Sequence, residues 1–329
     1  MCEVSRVTGS ILERIDQHVG IREVASPLSA SMLAPLEAWV KTVQFSAPLT
    51  ETDQQKLASL LTDYPNVELR IYGHYREDEV NLEFLKRFPS ISRFSAEVFG
   101  LTDASGLRHL PSTLQSLSLG QTKRRIVSLS ILRRFPHLKK LYLEKHAHEL
   151  EAISDLHELE DLTLRSITSP DLSILSGLKK LYSVDIKLGG VTDLRPLSRI
   201  ATLKYLELWL IRGLTDLSAI GEITSLQYLF LQALRGVKSL PPFAKLKALR
   251  RLHLETMKGL ADLEPLKEAQ ALQDLVICDC PQLPTTAFRC LLDLPSLRRF
   301  SVHQGSRRKE NAVYEFMKLP RVKADFAFD

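Results

Sequence analysis

The sequence predicts an α/β repeat solenoid: a parallel sheet that gains one strand per repeat, with helices and tight turns carrying the chain back. Three observations predict it. Residues 203–231 state the same phrase twice, with Leu203, Leu206 and Leu208 recurring as Leu226, Leu229 and Leu231, an L-x-x-L-x-L pattern at a period of 23. The closing L-x-L pair recurs along the chain, starting at Val43, Leu69, Phe94, Leu117, Leu141, Leu162, Val184, Leu206, Leu229, Leu252, Leu275, Phe300 and Phe326, at intervals of 21 to 26 residues. A corner phrase, apolar-Pro-x-aliphatic, appears at Tyr64-Pro65-Asn66-Val67, Phe88-Pro89-Ser90-Ile91, Phe135-Pro136-His137-Leu138, Leu294-Pro295-Ser296-Leu297 and Leu319-Pro320-Arg321-Val322. Residues two apart share one face of a strand. One short strand cannot bury that face alone, so identical units stack into an array. Proline ends the preceding helix and drives its neighbour toward extended backbone, which marks each helix-to-strand corner.

In chain order, residues 10–19 read as a short amphipathic helix, and residues 1–40, which include Pro27 and Pro35, as an N-terminal helical cap over the open end. Thr50 starts a helix to about Asp63, with Asp53 three residues on in a capping-box variant. Residues 78–87 and 127–134 are long enough for helix. The connectors at 191–200, 215–222 and 261–269 are shorter and predict single helical or 3₁₀ turns. Residues 285–293 and 307–318 lengthen into proper helices, and 319–329 supply a last strand that closes the array. The repeats thus occupy 41–306 in about eleven to twelve units, followed by a capping helix and strand at 307–329, in one continuous solenoid.

The chain has 329 residues and a formal charge of +5, with Lys and Arg interleaved among Asp and Glu, so its charge does not demand a nucleic-acid partner. Four cysteines in this length do not make a disulfide framework. No run approaches the ~18 apolar residues of a membrane span. The opening MCEVSRVTGS has no apolar core of a secretory signal. These features together predict a reduced, cytoplasmic protein.

The L-x-x-L-x-L cores, with the spacers V-T-D-L-R-P-L at 191–197, T-D-L-S-A-I at 215–220 and A-D-L-E-P-L at 261–266, resemble the leucine-rich repeat family. The spacers resemble its short, 22-residue class found in bacterial internalins. The resemblance implies a curved parallel sheet on a concave face, helices and 3₁₀ turns on the convex face, and a bacterial origin. The expected cytoplasmic location separates this stand-alone chain from the secreted internalins. One position departs from the family pattern. Where the family places Asn, three residues after the second strand leucine, this sequence has Thr122, His146, Ile167, Gly189, Ile211, Leu234, Met257 and Cys280. Without an Asn ladder the array is expected to be less regular, its turns closed by apolar packing.

In each x-L-x-L-x strand the three x residues face away from the leucine core, and strands ~4.8 Å apart line them up as rows. The central repeats then bring Tyr205, Trp209, Tyr228 and Phe230 together on the concave sheet, flanked by Asp185, Lys187 and Glu207 on one side and Arg251, His253 and Glu255 on the other. An aromatic centre with a charged rim is how binding hot spots are built, and exposed aromatics in a soluble chain need a reason. The competing reading is that the rings cover one another or that a curled terminus lies over them.

Other constellations are weaker. Glu255, Cys278 and His303 form a row of carboxylate, thiol and imidazole, but the thiol lies between acid and imidazole and an open sheet supplies no oxyanion hole. Cys278, Cys280 and Cys290 lack paired zinc spacing. His146-Ala147-His148 reads as a turn with two solvated histidines. The basic clusters Lys123-Arg124-Arg125, Arg133-Arg134 with Lys139-Lys140, and Arg307-Arg308-Lys309 could form a phosphate-binding edge, though no aromatics interleave them. With strands ~4.8 Å apart the sheet is roughly 60 Å long, which suits a folded protein better than a small molecule. The sequence therefore points to a non-enzymatic protein-binding module, an adaptor or an inhibitor or immunity-type protein. It is expected to be monomeric when unbound, with no metal, cofactor or membrane. Binding of nucleic acid or another polyanion through the basic edges is the alternative.

Overall fold

A computed structural model describes residues 20–73, 80–123, 127–169 and 171–323, together with Phe326 and Phe328. The described residues form one parallel sheet of thirteen strands in chain order and a separate two-stranded ladder. They divide into two compact units, one ending at Leu162 and one beginning at Thr163.

The first unit opens with β1 (Ile21–Glu23) and β2 (Thr42–Phe45), followed by α1 (Glu51–Thr62) and β3 (Glu68–Gly73). Then come β4 (Val80–Asn81), β5 (Arg93–Val98), β6 (Leu101–Asp103), β7 (Ser116–Leu119) and β8 (Lys140–Glu144). The expected register is observed: Val43, Leu69, Phe94, Leu117 and Leu141 face one another across successive parallel pairs. Thr50 caps α1, its hydroxyl accepting from the Asp53 amide at 3.2 Å and donating to the Asp53 carboxylate at 2.9 Å.

The helix expected at 10–19 lies outside the described residues. Part of the expected helical cap is strand, since β1 pairs in parallel with β2, Ile21 opposite Thr42. Arg22 ties it down by donating to the carbonyls of Ala34 and Pro35 and to the Glu37 carboxylate. The helices expected at 78–87 and 127–134 are 3₁₀ segments, Glu83–Arg87 and Leu129–Arg134. Each must end at an aromatic-Pro corner, and the Phe88 and Phe135 amides close the last turn onto Leu85 and Leu132, i→i+3. Val80–Asn81, before β5, and Leu101–Asp103, after it, make the small second ladder, which the alternation pattern does not signal.

The second unit begins within β9 (Asp161–Arg165) and continues through β10 (Ser183–Lys187), β11 (Tyr205–Trp209), β12 (Tyr228–Gln232), β13 (Arg251–Glu255), β14 (Asp274–Cys278) and β15 (Arg299–His303). From β10 onward Val184, Leu206, Leu229, Leu252, Leu275 and Phe300 align without a slip. The leucines of the L-x-L pairs are fully buried. Connectors at Arg195–Arg199, Ser218–Glu222 and Glu264–Glu268 are 3₁₀ turns, as expected. The Asp of each spacer starts its turn: Asp193, Asp216 and Asp262 accept from the amide two residues on at 2.9, 2.8 and 3.0 Å. Residues 285–293, expected as helix, are also 3₁₀. The expected helix at 307–318 is α2 (Arg307–Met317).

The missing Asn ladder has a specific replacement. The residue just after each strand takes a left-handed conformation although none is glycine: Ser166, Leu188, Leu210, Ala233, Thr256 and Asp279 have φ between 49° and 57°. Each donates its amide to the carbonyl that ends the next strand, from Ser166 to Lys187 at 2.7 Å through Asp279 to His303 at 2.8 Å. The following position, where the family carries Asn, is buried and apolar at Ile167, Ile211, Leu234, Met257 and Cys280. Left-handed backbone is costly for such residues and persists because packing on both sides fixes it.

The expected closing strand at 319–329 does not form among the described residues. The outward amides of β15 are already used: Phe300 donates to the Pro320 carbonyl at 2.8 Å, Val302 to the Tyr314 hydroxyl at 2.9 Å and Gln304 to the Glu310 carboxylate at 2.8 Å. Helix α2 and the turn after it cap the sheet edge, so no backbone donors remain for another strand.

Candidate functional site

The strand face of the second unit is built from three rows that follow directly from register. Ser183, Tyr205, Tyr228, Arg251, Asp274 and Arg299 form the first, Asp185, Glu207, Phe230, His253, Val276 and Ser301 the second, and Lys187, Trp209, Gln232, Glu255, Cys278 and His303 the third. All ten expected site residues therefore lie together.

Their environment is the correction. The aromatic centre was expected to be open, and it is covered. Tyr205 is 0% exposed, Tyr228 3% and Phe230 1%, with Phe326 and Phe328 packed against them. Phe326 meets Tyr228 edge-on at 5.2 Å and takes the Arg251 guanidinium 4.8 Å from its ring centre. Phe328 lies edge-on to Tyr205 at 6.3 Å and to Tyr182 at 6.2 Å. The two phenylalanines touch each other at 5.3 Å. Their alternation mimics a strand, but their rings seat on the face of β10–β13 instead of extending the sheet.

Of the flanking groups, Asp185, Lys187, Glu207, Arg251 and His253 are buried too, and the charges among them lie close to one another. Lys187 Nζ lies 3.1 Å from Asp185 and 3.0 Å from Glu207, and the Tyr205 hydroxyl donates to Glu207 at 2.8 Å. Thr163 donates to Asp185 at 3.4 Å. Burial, then the neighbouring Asp185, pushes the Glu207 carboxyl up to about 7, while Lys187 and the Tyr205 hydroxyl pull it back. Burial likewise raises the Tyr205 and Tyr228 hydroxyls above the ordinary phenol value. On the other flank Arg251 meets Asp274 at 2.7 Å, and Asp274 meets Arg299 at 2.6 Å. His253 stacks on Phe230 at 4.2 Å and 7°. Trp209 and Glu255 remain partly exposed, Trp209 beneath Arg165 at 5.5 Å and Glu255 accepting from Gln232 at 2.8 Å.

The weaker constellations are also placed. Glu255, Cys278 and His303 are neighbours in one row, but Cys278 is buried and His303 pairs with Glu310 at 3.2 Å. Burial pushes the Cys280 and Cys290 thiols up to about 11, which disfavours thiolate. His146 is not solvated, in contrast to the expectation. It is 3% exposed, its Nε2 lies 2.9 Å from the Gly120 carbonyl, and burial lowers its pKa. It occupies the family's Asn position, where an imidazole N–H can serve the turn as an amide would. Of the basic clusters, Arg133 pairs with Asp155 at 2.8 Å and Lys139 with Glu160 at 3.2 Å, while Arg124 and Arg125 lie outside the described residues. Among the described residues no helix is long and apolar enough to cross a membrane.

No protein-family model matches the sequence, and no curated protein does. The fold is similar to an internalin of Listeria monocytogenes, with a TM-score of 0.53 and 19% identity over 84% of this chain and 89% of that one. It is also similar to a chain of the Drosophila Toll–Spatzle complex, with a TM-score of 0.56 and 15% identity over 80% of this chain and 40% of that chain. The chain has the leucine-rich-repeat solenoid fold. A second Listeria internalin aligns over 60% of this chain and 84% of its own at 20% identity and a TM-score of 0.44. Within this leucine-rich-repeat fold the occupied strand face is the least expected feature. Sequence periodicity treats Phe326 and Phe328 as one more L-x-L pair. The signal against that reading is the tyrosine that caps the last strand from α2.

Proposed function

We propose that this leucine-rich-repeat chain is a non-enzymatic protein-binding module, an adaptor or an inhibitor or immunity-type protein, whose partner docks on the strand face of β10–β14. One observation carries the reading. This face already holds polypeptide, because two phenylalanines from far along the chain seat on its tyrosines and on Arg251. Aromatic rings, a desolvated arginine and paired charges, rimmed by the partly exposed Trp209 and Glu255, are what dominate protein interfaces. The similar chain of the Toll–Spatzle complex is itself part of a complex. The basic clusters support the polyanion alternative less well, since Arg133 and Lys139 each have an acidic partner.

The test is an affinity capture from host lysate with the wild-type chain beside Trp209→Ala/Glu255→Lys, both partly exposed positions that can change without opening the core. A protein retained by the wild type and lost by the variant supports the reading. Equal retention by both moves the docking surface off this face. Capture of nucleic acid alone, lost steeply as salt rises, favours the polyanion alternative.

A further inference from the structure

We propose that the strand face takes an extended partner segment bearing two aromatic side chains two residues apart, and that Phe326 and Phe328 occupy its two seats until the partner displaces them. This rests on the protein-binding reading above and names the chemistry of the partner.

The seats are defined by what the two rings touch. One lies between Tyr228 and Arg251, on adjacent strands, and offers a phenol edge and a guanidinium face. The other lies against Tyr205 beside Tyr182. A ring is preferred in the first seat because a guanidinium stacks on an aromatic face. Arg251 is also held to Asp274 through two nitrogens, at 3.1 and 2.7 Å, so its charge is already answered and an anion gains little there. Residues i and i+2 of an extended chain project to the same side, roughly 7 Å apart along the backbone, which matches two rings that touch at 5.3 Å.

The floor is held independently of its cover. The Tyr205 hydroxyl is fixed by Glu207, which is fixed by Lys187. Tyr228 is wedged edge-on against Tyr205 at 5.1 Å and lies 5.6 Å from Arg251. A floor with its own hydrogen bonds is a preorganised site, which lowers the ordering cost of a second occupant. The cover is attached differently. Its backbone joins the unit near β15, through the Pro320 carbonyl and a bond from the Val322 amide to the Ser301 hydroxyl at 2.9 Å. The two rings beyond are only partly buried, whereas the tyrosines they cover are almost wholly so. The sheet ends at β15 with its outward amides used, and the Phe326 and Phe328 rings rest on its face.

The experiment uses the 329-residue chain and, as probe, a fluorescein-labelled peptide with the sequence of residues 319–329. Fluorescence anisotropy is measured on the wild type and on Phe326→Ala/Phe328→Ala, each checked for a cooperative thermal melt. The variant is expected to bind the peptide at least tenfold more tightly than the wild type, whose seats are filled. A peptide with both phenylalanines replaced by alanine is expected to lose at least tenfold. Should the double variant fail to melt cooperatively, the single Phe328→Ala is read in the same way. Equal affinity of wild type and a folded variant would overturn the proposal, as would undiminished binding of the alanine peptide. A wild-type dimer that the double variant dissolves, seen by light scattering, would overturn occupancy within one chain. The assay contains no host protein, so a negative result here beside a positive lysate capture removes the aromatic-pair partner and leaves the protein-binding reading standing.

Discussion

Glu207 shows how the face behaves at the level of one side chain. It shares Lys187 with Asp185, all three are buried, and two carboxylates facing one ammonium leave a net negative charge away from water. Holding a proton on Glu207 relieves this: burial first, and then the neighbouring Asp185, push its carboxyl up to about 7 from 4.5. The sign is opposite to that of a surface-paired carboxylate. Between about 4.5 and 7 the folded chain holds a proton that the unfolded chain has released, so this site's contribution to stability falls as pH rises through that window. Glu207→Gln keeps an acceptor for the Tyr205 hydroxyl and leaves Lys187 paired with Asp185 alone. Urea midpoints measured from pH 4.5 to 8 are expected to show this decline in the wild type and a flatter profile in the variant. A variant profile as steep as the wild type's would place the proton elsewhere. His146 acts in the other direction. Its pKa is lowered, so its contribution is present above the ordinary histidine value and is lost as pH falls below it.

At the scale of elements, strand β15 and helix α2 decide where the sheet stops. Tyr314 accepts from the Val302 amide and packs its ring on Phe300 at 6.0 Å. Tyr314→Phe keeps the ring and removes the acceptor, leaving a half-buried amide with only water to answer it. The expected loss is about 1 kcal/mol, up to ~3 if the site stays dry. Amide exchange at Val302 is expected to accelerate more than at Leu275, one strand inward. Equal acceleration at both would mean that the variant acts on the whole unit. This element also marks the limit of what the sequence discloses. The register of the repeat strands is legible from Val43 to Phe300 because a two-residue period and a near-constant interval repeat there, and every step is set by the next unit's leucines. Phe326 and Phe328 carry the same alternation, but backbone donors decide pairing, and α2 takes those donors through Tyr314 and Glu310. The left-handed turns were illegible for a related reason: Leu188, Leu210 and Thr256 carry no glycine-like signature, and the neighbouring repeat holds them in place. The ten site residues were legible as a group because register alone assembles them. Their burial was not, because it is imposed by a segment far away in sequence.

At the scale of the whole chain, repeat proteins owe their stability to each unit's own contacts and those with its immediate neighbours, so a local change spreads little along the array. Phe326 and Phe328 break this rule within the second unit, since they link the segment after α2 back to β10–β13 across several repeats. Burying a phenylalanine fully is worth about 1.5–3 kcal/mol, and these two are only partly buried, so together they contribute roughly 2–3 kcal/mol. Phe326→Ala/Phe328→Ala is therefore expected to lower the opening free energy of β11, β12 and β13 by that order, read as faster amide exchange at Leu206, Leu229 and Leu252. In the first unit, Leu69 and Leu117, whose strands pair only with their own neighbours, are expected to keep their protection. Exchange that accelerates uniformly from Leu69 to Leu252 would mean that the chain unfolds as one cooperative block. Exchange unchanged at Leu229 would mean that the rings rest on the face without stabilising it, and a partner would then meet almost no resistance in taking their place. The wild-type barrier to displacement and the stability that the rings add are thus the same free energy, measured once by exchange and once by the affinity gap between wild type and variant.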